Sequence, residues 1–138
     1  MSLIKLFALL SGLLGACLAQ ERFEAGEFQG FTKSPSEHII NRFEKAITTR
    51  VLSGVVLSKT DSRPLADALF EVRGRGAASR VQGARTDKEG RFRFKHLRPG
   101  EYVFKVTRDG FQSVVGRLTV SKTAAAGEPI RIELSVGV

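Results

Sequence analysis

From Val51 to the end of the chain, nearly every stretch long enough to form structure repeats with a period of two, and that alternation limits the fold more than anything else. Arg91-Phe92-Arg93-Phe94-Lys95 is its plainest form. Tyr102, Phe104 and Val106 follow the same rule, and Ile130, Ile132, Leu134 and Val136 alternate with Arg131, Glu133 and Ser135. Successive side chains of a strand point to opposite faces, so each segment gathers its apolar residues on one side; a helix would scatter them.

Further strands are expected at Val51 to Leu57, apolar on both faces, and at Ala68 to Arg73, where Phe70 and Val72 share a face. Two more should cover Arg80 to Thr86 and Phe111 to Val120, the latter with Val114, Leu118 and Val120 in register. Turn residues separate them: Asp87-Lys88-Glu89-Gly90, Pro99-Gly100 and Asp109-Gly110. Seven short strands with roughly 8 to 12 residues from one to the next predict an all-β, antiparallel sandwich. No room is left for the crossover helices of a parallel sheet. Pro64, Pro99 and Pro129 fall at breaks between strands, where a missing N–H costs nothing. Each sheet should have an apolar inner face and a polar outer one.

The N-terminus obeys different rules. After Lys5, the run Leu6 to Ala19 has Ser11 as its one non-apolar member and gives way to Gln20-Glu21-Arg22, the pattern of a signal peptide over residues 1–19. It is shorter than the roughly 20 residues that cross a bilayer, so the mature chain is expected to be exported without a transmembrane helix. Two processing routes fit. Cys17-Leu18-Ala19 before Gln20 suits an ordinary signal peptidase, whereas Leu14-Gly15-Ala16-Cys17 resembles the lipobox that makes Cys17 a lipidated first residue. Cys17 is the only cysteine, so no internal disulfide is available and the apolar core must hold the domain alone.

Residues 20–49 form a separate region in which acidic and basic residues nearly cancel. Phe23, Phe28 and Phe31 follow no period and suggest an extended arm. Ser34-Pro35-Ser36-Glu37 has the form of a capping box, and Ile39, Ile40, Phe43 and Ile47 have helical spacing. Together they predict a short helix over about 35–47, its apolar stripe packed on a domain spanning 50–138.

Five elements in that domain carry a family resemblance: Leu52-Ser53-Gly54-Val55-Val56, Arg63-Pro64-Leu65-Ala66-Asp67-Ala68, Thr86-Asp87-Lys88-Glu89-Gly90-Arg91-Phe92, Leu97-Arg98-Pro99-Gly100-Glu101-Tyr102 and Asp109-Gly110-Phe111. Their order and spacing resemble the carboxypeptidase regulatory-like domain. The resemblance implies a seven-stranded prealbumin-like (Ig-like) sandwich, also grouped with carbohydrate-binding-like folds. It further implies a module that accompanies peptidases or outer-membrane receptors without supplying an active site.

The residues agree with a non-enzymatic reading. His38 and His96 are far apart, and His96 sits between Lys95 and Arg98 with no partner in the sequence pattern, so neither a nucleophilic triad nor a four-ligand zinc site is expected. Asp87 and Glu89 are explained by their turn, without calcium. No catalytic residue, metal or cofactor is assigned. Without Trp and with one Tyr, a stacking platform for sugars is hard to build.

Charge is the remaining signal. Residues 50–138 hold 17 Lys+Arg against 9 Asp+Glu, the whole of the net +8. Arg91, Arg93 and Lys95 should project from one outer sheet face, a candidate site for an anionic glycan or another polyanion. Nucleic acid is not expected, because export removes it and no groove-reading helix or stacking aromatics accompany the cations. The sequence therefore points to an exported binding or scaffolding module of the cell envelope. Carbohydrate or polyanion binding through the basic face is one alternative; another is an accessory subunit of a separately encoded peptidase or outer-membrane receptor.

Overall fold

The computed structural model describes residues 26–76, 79–125 and 129–137. The expected signal peptide, with Cys17, lies outside the described residues. Among the described residues the strands are β1 (Ile40–Arg42), β2 (Ile47–Thr49), β3 (Ser53–Ser58), β4 (Leu69–Gly74), β5 (Gln82–Arg85), β6 (Arg91–Arg93), β7 (Gly100–Thr107), β8 (Ser113–Val120) and β9 (Ile130–Leu134). They make two sheets that face each other. The larger runs β1-β8-β7-β4-β5, with β2 also paired to β8; the smaller runs β6-β3-β9.

All seven expected strands are present, and the sandwich is all-β. Two features differ from expectation. The sheets are mixed, because β1 and β2 lie parallel to β8 and β3 lies parallel to β9. Parallel neighbours need a long connection, usually a helix. Here most of the domain lies between β3 and β9, so their orientation is free of any local turn. The helix expected over 35–47 is absent: Ile40–Arg42 and Ile47–Thr49 are the extra strands β1 and β2, extended along β8.

The core is aromatic at its centre. Phe70 on β4 stacks on Phe92 of β6 at 4.4 Å between centroids and on Phe104 of β7 at 5.0 Å, and Phe94 meets it edge-on at 5.8 Å. Val56, Val72, Val106, Ile132 and Leu134 are fully buried around them. Gly116 on β8 makes room for this arrangement. A Cβ there would stand 2.5 Å from Cζ of Phe104 and 3.2 Å from Cβ of Phe43.

The turn elements hold one another. The buried Thr86 hydroxyl accepts the Ala68 N–H at 2.9 Å and donates to the Leu65 carbonyl, while the Leu65 N–H reaches the Val56 carbonyl at 2.9 Å. Asp87 Oδ1 accepts the N–H groups of Glu89 and Arg91. Gly90 closes that turn at φ 74°, where any Cβ would come within 2.6 Å of the Val56 carbonyl oxygen. Tyr102 is buried, and its hydroxyl donates to the Arg98 carbonyl at 2.5 Å.

Phe104→Ala should lower the unfolding free energy by about 3–5 kcal/mol, because the surroundings of a central ring collapse only partly. Gly116→Ala should cost about 1–3 kcal/mol by forcing Phe104 off its stack. Val136→Ala, at a half-exposed position, should stay within about 0.5 kcal/mol. Urea unfolding followed by circular dichroism checks all three.

Candidate functional site

The two outer faces of the sandwich are treated differently by the chain. On the smaller sheet, period-two alternation buries Phe92 and Phe94 and leaves Arg91, Arg93 and Lys95 exposed. Arg91 and Arg93 lie on β6, an edge strand, and Lys95 follows just beyond its end. Strand register adds a cation that the sequence did not place there. Val55 of β3 is opposite Arg91 on one side and Arg131 on the other, so Arg131 from the C-terminal strand belongs to the same face.

These cations are not equivalent. Arg91 Nε lies 3.3 Å from Asp87 Oδ2 and its Nη2 lies 3.5 Å from Glu89 Oε2. Arg131 Nε lies 3.2 Å from Glu133 Oε1. The Asp87 carboxyl is held below its ordinary range first by the Arg91 backbone N–H and also by the Arg91 charge, with slight burial opposing. A shallow cleft of about 700 Å³ beside β6 is lined by Arg85, Arg91 and Arg93 together with Asp87 and Glu89. Arg93 and Lys95 therefore supply the uncompensated charge of this face.

On the larger sheet the outer face is covered. Residues 26–38 cross it, and polar side chains that alternation had assigned to solvent become buried beneath them: Glu71, Lys105 and Ser113 are each less than one-tenth exposed. Each has a partner on the arm or close to it. The Thr32 N–H donates to Glu71 Oε1 at 2.9 Å. Arg73 donates to the carbonyls of Glu27 and Gln29 and lies 5.2 Å from the centre of the buried Phe31 ring. Arg117 pairs with Glu27 at 3.5 Å. At the far end Lys105 Nζ donates to Glu37 at 2.9 Å, and the Ser113 hydroxyl donates to the other Glu37 oxygen.

Burial pushes the Glu37 carboxyl up. The hydrogen bonds from Ser113, Lys105 and the Ser34 backbone, with the Lys105 charge, outweigh it and bring the pKa below the ordinary 4.5. The sequence named neither Glu37 nor Lys105 as such a pair. Its available signal was a lysine in the middle of β7, between two core residues.

His38 and His96 are both exposed, and they lie on separate segments. Among the described residues, no three His, Cys, Asp or Glu side chains come together in a way that could hold a metal ion. Nor is any helix among them long and apolar enough to cross a membrane.

Glu37→Gln should strand Lys105 in a dry site and cost about 3–5 kcal/mol, whereas Glu37→Gln with Lys105→Met should recover much of that loss. Because the folded pKa of Glu37 is depressed, its stabilising contribution is complete above the ordinary glutamate range and is lost as pH falls through the lower folded value. Hydrogen exchange of the 26–38 amides, measured between pH 6 and pH 3, should show the arm loosening on acidification in the parent. In the double variant it should show little change.

A comparison with curated proteins finds no match. Against protein families, residues 51–135 match the carboxypeptidase regulatory-like domain. The five motifs of the turns and strands fall inside this stretch, while the arm and β1 and β2 precede it. With more than half of its length matched, the chain belongs to the carboxypeptidase regulatory-like domain family.

Proposed function

We propose that the protein is a non-enzymatic binding or scaffolding module of the cell envelope, exported by its N-terminal signal peptide, and that Arg91, Arg93 and Lys95 form its contact with an anionic glycan. The observation that carries this reading is the division of the two outer faces. The larger sheet is occupied by the chain's own arm, so the surface left to a partner is that of β6, β3 and β9, where Arg93 and Lys95 stand clear of carboxylates.

Family membership supports the module reading, since regulatory-like domains are β-sandwich units common in exported proteins and are not themselves catalytic. An acidic polysaccharide suits the face better than a neutral sugar, because the exposed groups are cations and the one tyrosine is buried. As an accessory subunit of a peptidase or receptor the protein would use the same open face.

On immobilised dextran sulfate the mature protein should elute at a salt concentration that falls sharply for Arg93→Glu/Lys95→Glu and less for Arg91→Glu, whose cation is already paired. Retention that is indifferent to salt or to these changes overturns the glycan reading. Intact-mass analysis of the mature chain distinguishes a start at Gln20 from a triacylated start at Cys17, and an unprocessed Met1 overturns export by this signal.

A further inference from the structure

A second group of cations lies at another place on the molecule, where the loop after β4 meets the connection between β6 and β7. Arg80, His96 and Arg98 line one cavity of about 380 Å³ together with Ser79, Gln82 and Tyr102. The sequence placed these arginines near one another along the chain but gave them no common site. Among the described residues no carboxylate lines this cavity, in contrast to the cleft beside β6, which contains Asp87 and Glu89. Among the described residues, neither Arg80 nor Arg98 has an ion pair or side-chain hydrogen bond.

Two cations at the end of β4 are already engaged. Arg73 holds the arm carbonyls, and Arg75 pairs with Glu101 at 3.2 Å. The walls are held in place. Tyr102 starts from the core and its hydroxyl holds the Arg98 carbonyl, so the β6–β7 connection is tied to the sheet where it carries Arg98. Burial lifts the Tyr102 pKa above its ordinary 10.0, and the nearby Arg98 charge opposes the rise. The Ser79 N–H donates to the Gly76 carbonyl at 3.2 Å.

We infer that this cavity is a binding site for a phosphate-type oxyanion, gripped by the Arg80 and Arg98 guanidinium groups, with His96, Ser79 and Gln82 as further hydrogen-bond donors. Two planar guanidinium forks suit the oxygens of a tetrahedral anion, and the other donors complete its shell. A free phosphate ester and a phospholipid headgroup present the same chemistry. The site is independent of the glycan contact proposed for Arg91, Arg93 and Lys95 and stands or falls without it.

The test uses the full mature chain. Inorganic phosphate is titrated against it while the His96 ring and Arg side-chain NMR signals are followed. Separately, co-sedimentation is measured with vesicles of phosphatidylcholine alone and with one-third phosphatidylglycerol. Saturable shifts at His96 and Arg98 are expected, weakened at least tenfold in Arg80→Gln/Arg98→Gln and unchanged in Arg93→Glu/Lys95→Glu. Both arginines are exposed, so the glutamine variant should unfold at the parental urea midpoint. Phosphate binding without sedimentation on the anionic vesicles identifies a soluble phosphate ester as the source; sedimentation that Arg80→Gln/Arg98→Gln abolishes identifies a headgroup. Neither response in the parent, or equal responses in parent and glutamine variant, overturns the site.

Discussion

Phe70 is the side chain through which the two sheets become one structure. It belongs to the larger sheet, stacks on Phe104 within that sheet and reaches across to stack on Phe92 of the smaller one. Small domains without disulfides depend on the quality of a single core, and aromatic pairs contribute beyond the area they bury. The position of Phe92 fixes the rest of β6. Once its ring is turned inward, Arg91 and Arg93 must face outward, and the Asp87–Gly90 turn must deliver the strand at that height. The outward display of these cations is thus a geometric consequence of how one phenylalanine is stacked.

A second constraint comes from charge under the arm. Lys105 interrupts the apolar run Tyr102–Val106 of β7 and would be costly if left alone in a dry site. Glu37, 68 positions back in sequence, neutralises it, and Ser113 satisfies a further oxygen of the same carboxylate. A buried ion pair is weak evidence for stability when compared with an apolar pair, but it is selective, because only the right segment in the right register brings the carboxylate there. The arm is thereby held in one position across the sheet, and β1 and β2 follow from it along β8.

The strands of 51–135 were legible because alternation and turn chemistry are local: Phe92, Phe94, Tyr102, Phe104 and Ile132 are all buried as their period requires. The helix over 35–47 failed for the opposite reason. Ser34-Pro35-Ser36-Glu37 does form a local turn, with the Glu37 N–H on the Ser34 carbonyl at 3.2 Å and the Glu37 carboxylate taking the Ser34 backbone, but the same carboxylate is tied to Lys105 and Ser113 on the sheet and no helix follows the turn. The apparent stripe then divides. Phe43 and Ile47 pack against the core, whereas Ile39 and Ile40 are more than half exposed. Tertiary pairing with β8 prevailed over a marginal helix. The parallel pairing of β3 with β9 was equally out of reach, since no local pattern records which distant strands become neighbours, and with it went the placing of Arg131 beside Arg91.

Electrostatics on this fold follow from neighbours more than from totals. The sequence carries its whole excess of positive charge from residue 50 onward, which by itself suggests one diffuse basic surface. The fold divides that excess into classes. Arg73, Lys105 and Arg117 hold the arm, Arg75, Arg91 and Arg131 face carboxylates across short distances, and Arg80, Arg93, Lys95 and Arg98 remain for solvent or a ligand. Exposed pairs are weak and screened by salt, so an anion can compete for Arg91 or Arg131, but it must displace a carboxylate to do so. At Arg80 and Arg98 it displaces only water. The tighter site for a small anion is therefore the cavity between the β4–β5 loop and the β6–β7 connection, while an extended polyanion, which gains from many weak contacts, is suited to the face of β6.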